Sequence, residues 1–283
     1  MEGKNKSMIP FDFEYYRPAS IQEAYDCYHK LIRDNKKPQY YSGGTEIISM
    51  ARVGSLEFDS VIDIKGIPEC NELQIINGEF VIGSARTLTQ IAQYNAYPLL
   101  SDTIKRIADH TIQGKITIGG NLAGTIQYRE ASLPLMISNC NVKVMTHQGL
   151  TAVPFLKVFD GRLNLNAGEF LVSISINEKE LMLPYNHVKK TKIDKIDYPL
   201  ITLAAAKNNT SIKAAITGYG DKPILLPAKI LNDNYYKTED RIMKLIGQFK
   251  DDCKSDLSGS REYREFVLKN MLEQMYENFE KVR

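Results

Sequence analysis

A chain of 283 residues, 43% hydrophobic and 25% charged, has the composition of an ordinary globular protein and the length for two or three packed subdomains. Its 36 basic and 34 acidic residues leave a formal net charge of +2, without the electrostatic footprint of a nucleic-acid or membrane-surface binder. No apolar run approaches the roughly 20 residues of a membrane span. Met1–Ser7 lacks the apolar core of a signal peptide, so a cytoplasmic location is expected. Cys27, Cys70, Cys140 and Cys253 lie far apart, and His29, His110, His147 and His187 show no ligand spacing. These groups are expected to be packed or surface side chains, with no metal site and no iron–sulfur cluster on this chain.

In chain order the elements alternate. Ser20-x-x-Glu23 forms a capping box that opens a helix through Ala24, Tyr28, Leu31 and Ile32, stopped at Asn35–Pro38. Gln39–Ser42 predicts a strand, Gly43-Gly44-Thr45 a turn and Glu46–Ala51 a helix. Val61–Ile64 predicts the next strand, and Leu73–Ile76 and Phe80–Gly83 flank Asn77-Gly78, a strong hairpin signal. Thr87-x-x-Gln90 caps a further helix, Pro98–Ala108 predicts another, and a second glycine turn lies at Ile116–Asn121. Helix is then expected over Leu133–Ser138, and strand over Asn141–Thr146 and Phe170–Ile176. Ile201–Ala206 and Ser211–Thr217 fit a helix or further strands, while Glu239–Phe249 and Arg261–Lys281 read as amphipathic helices. In the last helix the expected packing stripe is Tyr263, Val267, Met271, Met275 and Phe279.

Two diglycine elements about 75 residues apart, Ser42-Gly43-Gly44-Thr45 and Thr117-Ile118-Gly119-Gly120-Asn121, carry the functional signal. Glycine has no Cβ, so its backbone can turn tightly and press N–H groups against a ligand. Strand, glycine turn and helix N-terminus is the order that directs N–H groups and a positive dipole end at a phosphate. Each element by itself also fits a plain connection. Two in one domain suggest a dinucleotide gripped from both sides.

Phe13–Ser20, Ser42–Glu46, Val61–Ile64, Phe80–Ala85, Thr117–Asn121, Ala167–Leu171 and Ser258–Arg264, in that order, resemble signatures of the FAD-binding subunit of molybdenum hydroxylases. That family includes xanthine dehydrogenase and carbon monoxide dehydrogenase. The resemblance runs from about Phe11 to Gln274. It implies an α+β fold: a two-subdomain FAD-binding domain of the vanillyl-alcohol oxidase (PCMH) type, followed by an α/β C-terminal domain. The expected division is a flexible N-terminus over 1–10, FAD-binding subdomains over 11–60 and 61–166, and the C-terminal domain over 167–283.

The implied role is electron transfer. Noncovalent FAD would receive electrons from 2Fe-2S centres on a small partner subunit, which draw on a molybdopterin-binding large subunit, and would pass them to an external acceptor such as NAD. Ser42, Gly43, Gly44 and Thr45 would wrap the pyrophosphate, with Glu46 close by and Tyr41 flanking the cofactor. Thr117, Gly119, Gly120 and Asn121 would lie nearer the ribityl chain and ring. Glu130, where the family usually carries Asp, would accept from ribityl or ribose hydroxyls, and Lys189 would stand near the isoalloxazine. Glu46 also fits a first-turn helix acid, and Lys189 a solvated lysine among Lys190, Lys192 and Lys195.

Gln113-Gly114 and Lys192-Ile193 depart from common family pairs, and no NAD site is identifiable. Two other classes compete. One is a stand-alone flavoenzyme of the same superfamily, of the UDP-N-acetylmuramate dehydrogenase or vanillyl-alcohol oxidase type. The other is a non-catalytic nucleotide-binding subunit. The first glycine loop carries no histidine for covalent flavin attachment, which argues against the oxidase type.

Overall fold

The computed structural model describes residues 9–193 and 197–281. Most of the expected frayed amino terminus, residues 1–8, and Lys195 lie outside the described residues. Three regions follow one another along the chain.

The first comprises β1 (Glu14–Tyr16), α1 (Ile21–Arg33), β2 (Pro38–Tyr41), α2 (Thr45–Arg52) and β3 (Ser60–Asp63). Its three strands are parallel, in the order β1-β3-β2. Ser20 caps α1 by accepting from the Glu23 N–H, and Glu23 reaches back to the Ala19 N–H. The expected boundary at 60/61 therefore moves: β3 is the central strand of the first sheet. No local signal marks this, because β3 is inserted between two strands that precede it.

The second region runs through β4 (Leu73–Ile76), β5 (Glu79–Gly83), α3 (Leu88–Tyr94), α4 (Pro98–Ile104), α5 (His110–Gln113), α6 (Ile118–Ala123), α7 (Ser132–Ile137), β6 (Cys140–Thr146), β7 (Gly149–Pro154), α8 (Phe155–Val158) and β8 (Phe170–Asn177). Its antiparallel sheet has the order β4-β5-β8-β6-β7. The β4–β5 hairpin turns on Asn77 and Gly78, both at positive φ, as the turn chemistry predicts. The expected boundary at 166/167 also moves, because β8 is the middle strand of this sheet. Phe170 and Val172 on β8 share a core with Ala24, Leu31 and Ile62, so the first two regions pack as one body.

The third region comprises β9 (Tyr185–Thr191), β10 (Pro199–Lys207), β11 (Ile212–Thr217), β12 (Ile224–Leu225), α9 (Ala228–Leu231), α10 (Thr238–Gln248) and α11 (Arg261–Lys281). The two stretches left open between helix and strand are the central strands of its antiparallel sheet, ordered β12-β11-β10-β9. They are apolar on both faces, broken only by Thr202, Lys213 and their terminal residues, because both faces of the sheet are covered. Leu203 and Ala205 face the core beneath α10 and α11, whereas Ala204, Ala206 and Ala215 join the core of the second region.

Two helix expectations are corrected. The expected Pro98–Ala108 helix stops at Ile104, and Ala108 adopts φ 53°. Tyr263 is 53% exposed and lies outside the α11 stripe, which is instead Val267, Leu268, Met271, Leu272, Met275, Tyr276 and Phe279. The stripe's flank is Arg264, 2% exposed, which donates to the Leu200 and Gly218 carbonyls and to Asp256.

Candidate functional site: two glycine elements that meet

The first element begins where β2 ends. Ser42 and Gly43 leave the strand, and Gly44, at φ 71°, is the N-cap of α2. The left-handed conformation favours glycine. A Cβ on Gly44 would also stand 2.4 Å from the Tyr41 ring, which lies across it. A Cβ on Gly43 would stand 2.2 Å from the Lys115 carbonyl oxygen. Glycine is therefore required for this loop to reach the segment that leads into α6.

The second element is not a turn. Gly119 and Gly120 sit inside the first turn of α6, capped by Thr117, whose Oγ1 accepts from the Gly120 N–H at 3.2 Å. A Cβ on Gly119 would lie 2.8 Å from both Cβ and the carbonyl oxygen of Ser84. Here glycine serves helix-to-strand packing. The structure brings the two elements together: Ser42 Oγ and Thr117 Oγ1 share a hydrogen bond of 2.8 Å.

Their N–H groups have different fates. In the second element Ile118 donates to Arg86 O, Gly119 to Ser84 O, and Asn121 to Thr117 O, each at 2.9 Å. In the first, the N–H groups of Gly43, Gly44 and Thr45 find no acceptor among the described residues. Open donors next to a left-handed residue at a helix N-terminus form a concavity suited to an anion. The second element offers a different handle, the Asn121 Oδ1, which is buried without a partner. A buried orphan acceptor has use for a hydroxyl donor. The open N–H cradle and this acceptor fit a dinucleotide whose pyrophosphate meets the first element.

Glu46 does not point at the cradle. Its Oε1 accepts from the Thr125 N–H at 2.7 Å and from the Thr125 hydroxyl at 2.8 Å, clasping the segment after α6. Arg129, buried and at φ 35°, donates through Nε and Nη2 to the Gly124 carbonyl and caps the α6 C-terminus. Sequence reading missed this arginine, and its only local signal was its place between the two candidate segments.

Glu130 and Lys189 meet each other, and neither bonds to a residue of the glycine elements. The Lys189 ammonium stands 2.9 Å from Glu130 Oε2 and donates to the Arg106 carbonyl at 2.7 Å. Thr202 on β10 donates to Glu130 Oε1 at 2.7 Å. Both charged side chains are almost fully buried. Lys189 is thus not a solvated lysine, and its partner is a carboxylate 59 residues away. Burial pushes the Glu130 carboxyl up, while Lys189 and Thr202 pull it back. Two residues before Lys189 on β9, burial and the nearby Arg106 lower His187 to about 4, and its Nε2 has no partner. Gln113 is buried and donates to the Lys105 and Ala108 carbonyls. Lys192 holds the Leu257 carbonyl at 2.5 Å.

All four cysteines are free, and no group of acidic, histidine or cysteine side chains suited to a metal occurs among the described residues. No helix among them is long and apolar enough to cross a membrane.

Comparison with known proteins gives the fold and the family. The chain is 31% identical to the carbon monoxide dehydrogenase medium chain of Hydrogenophaga pseudoflava over 120 residues, 41% of each chain. It is 24% identical to the nicotinate dehydrogenase FAD-subunit of Eubacterium barkeri over 178 residues, 60% of each. These matches span less than two thirds of either relative. In overall fold it superposes on a chain of the reconstituted CO dehydrogenase from Oligotropha carboxidovorans with a TM-score of 0.81, at 21% identity, covering 96% of this chain and 98% of that one. A family model described as FAD binding domain in molybdopterin dehydrogenase matches residues 11–177, from before β1 to the end of β8. That match takes in more than half of the chain and both glycine elements, and the chain belongs to this family of FAD-binding domains.

Proposed function

We propose that this chain is the FAD-carrying electron-transfer subunit of a multi-subunit molybdenum hydroxylase. The observation that carries the reading is the row of open N–H groups at Gly43, Gly44 and Thr45, docked onto a helix that bears an unpartnered Asn121 acceptor. In this reading Ser42, Gly43, Gly44 and Thr45 hold the pyrophosphate, with Tyr41 across the loop. Thr117, Gly119, Gly120 and Asn121 form the wall toward the ribityl chain. Glu46 acts by clasping 124–125 to the first region. Glu130 and Lys189 act as a buried pair that sets the third region against α4 and α7, and Glu130 does not accept from the cofactor directly.

Bound FAD supplies the ability to take electrons singly and release them as a pair. The protein contributes orientation and exclusion of water. The electron source would be a small 2Fe-2S subunit fed by a molybdopterin-binding large subunit, and the acceptor a soluble oxidant such as NAD. The complex would work in the cytoplasm.

The purified chain should be yellow, and acid should release intact, noncovalent FAD. Gly44→Asp should abolish FAD retention, because its Cβ collides with the Tyr41 ring and distorts the loop, and it adds a negative charge beside the N–H cradle. A chain that takes up no FAD on reconstitution would instead favour a non-catalytic subunit. A native complex containing this polypeptide alone would favour the stand-alone flavoenzyme.

A further inference from the structure

Lys65 belongs to no motif, yet it touches the first glycine element at Ser42 and the Tyr41 ring that precedes it. It lies on the short 3-10 turn Ile64–Gly66 that follows β3. Its ammonium donates to the Ser42 carbonyl at 3.0 Å, pairs with Asp63 Oδ2 at 2.8 Å, and stands 4.4 Å from the centroid of the Tyr41 ring. Asp63 does not depend on this ammonium alone. It also accepts from the Tyr15 hydroxyl at 2.5 Å and from the Lys65 backbone N–H at 2.9 Å. Burial raises the Asp63 carboxyl, but the bonds from Lys65 and Tyr15 outweigh it and hold the group below its ordinary range.

The contact with Ser42 bears on the cradle through peptide geometry. The Ser42–Gly43 peptide is trans, so its carbonyl and its N–H point to opposite sides of the loop. Turning this peptide over changes ψ of Ser42 and φ of Gly43, and a glycine tolerates either sign of φ, so its own backbone does little to oppose the flip. Turned over, it would present a carbonyl oxygen to a phosphate. By holding the Ser42 carbonyl, Lys65 keeps the Gly43 N–H aimed the other way. The Lys65 side chain is 42% exposed and paired with Asp63, so the positive charge it lends the loop is partly offset and is screened by salt.

We propose that Lys65 is the positioning residue of the dinucleotide loop, fixing the Ser42–Gly43 peptide for a pyrophosphate and supplying positive charge beside it. This rests on the FAD reading. The test uses the full-length chain, freed of flavin and titrated with FAD and separately with ADP, in wild type and in Lys65→Met, Lys65→Gln and Lys65→Arg. Lys65→Met and Lys65→Gln should each weaken both ligands by about tenfold or more. The salt dependence of binding should flatten in both, and Lys65→Arg should recover most of the loss. Wild-type affinity and salt slope in Lys65→Met or Lys65→Gln would overturn the proposal, whatever their melting temperatures. Failure of the wild type to bind FAD or ADP would instead overturn the FAD reading itself.

Discussion

The two glycine pairs look alike in sequence and do opposite work in the structure. At Gly43-Gly44 the backbone leaves a strand, takes one left-handed residue and keeps its N–H groups open. At Gly119-Gly120 the backbone is helical, and every N–H from Ile118 to Asn121 is engaged by Arg86, Ser84 or Thr117. The first pair keeps its donors free, while the second brings a helix against the segment after β5 and leaves a buried side-chain acceptor without a partner. The lesson is that a diglycine reports close approach, and hydrogen-bond accounting decides what approaches.

If the second element is a wall held by the protein, its stability should depend on the contacts that fix the segment after it. The largest effect is expected at Glu130. Glu130→Ala would leave the Lys189 ammonium buried without its carboxylate and should cost about 3–5 kcal/mol in denaturant unfolding. The double variant Glu130→Leu, Lys189→Met should recover most of that, because a buried pair gains little over apolar packing. A Glu130→Ala chain as stable as wild type would mean that the pair does not hold the wall.

The same interface should titrate. Arg106 and Asp102 from the α4 side and Lys189 from β9 surround His187, and the burial that dominates favours its neutral form. The unfolded chain binds this proton near pH 6.5 and the folded chain only near about 4. The stabilisation is therefore complete above about pH 6.5 and is lost as the pH falls toward 4, by about 2–3 kcal/mol for this group. His187→Leu should flatten stability over that window, read by urea unfolding at a series of pH values. An unchanged slope would place the acid sensitivity elsewhere.

Much of this was legible in the sequence, for local reasons. The capping boxes at Ser20 and Thr87, the Asn77-Gly78 hairpin and the strand–glycine–helix order at Tyr41–Glu46 all act within a few residues. What was not legible depends on distant pairing. β3 and β8 fall on the wrong sides of the expected boundaries because each is the central strand of a sheet whose other strands all precede it in sequence. That Glu130 and Lys189 stand 2.9 Å apart could not be read from positions 59 residues apart in sequence. Lys65 carried no signal, since a lysine after a strand marks nothing until the Ser42 carbonyl arrives beside it.

The glycines themselves provide the closer test of the contrast. Gly119→Ala forces a methyl to within 2.8 Å of the Ser84 backbone and should cost about 2 kcal/mol in thermal or chemical unfolding. Its neighbour should behave differently.

Gly120→Ala has the smallest expected effect on folding and separates the two kinds of work most clearly. Among the described residues, and apart from its chain neighbours and its own helix backbone, its Cβ would meet only Thr117 Oγ1 within 4 Å, at 3.0 Å, and the residue is exposed. Alanine is favoured over glycine inside a helix by about 1 kcal/mol, which offsets a small displacement of that hydroxyl, so stability should stay within about 1 kcal/mol of wild type. The methyl would nevertheless project from the face of α6 next to Asn121. FAD packed against that wall would be displaced, and affinity should fall although the fold does not. A variant that melts like wild type and binds FAD more weakly places the cofactor against Gly120. One that melts like wild type and binds FAD equally well would leave the whole second pair to packing, with ligand contact confined to the first element and the side chain of Asn121.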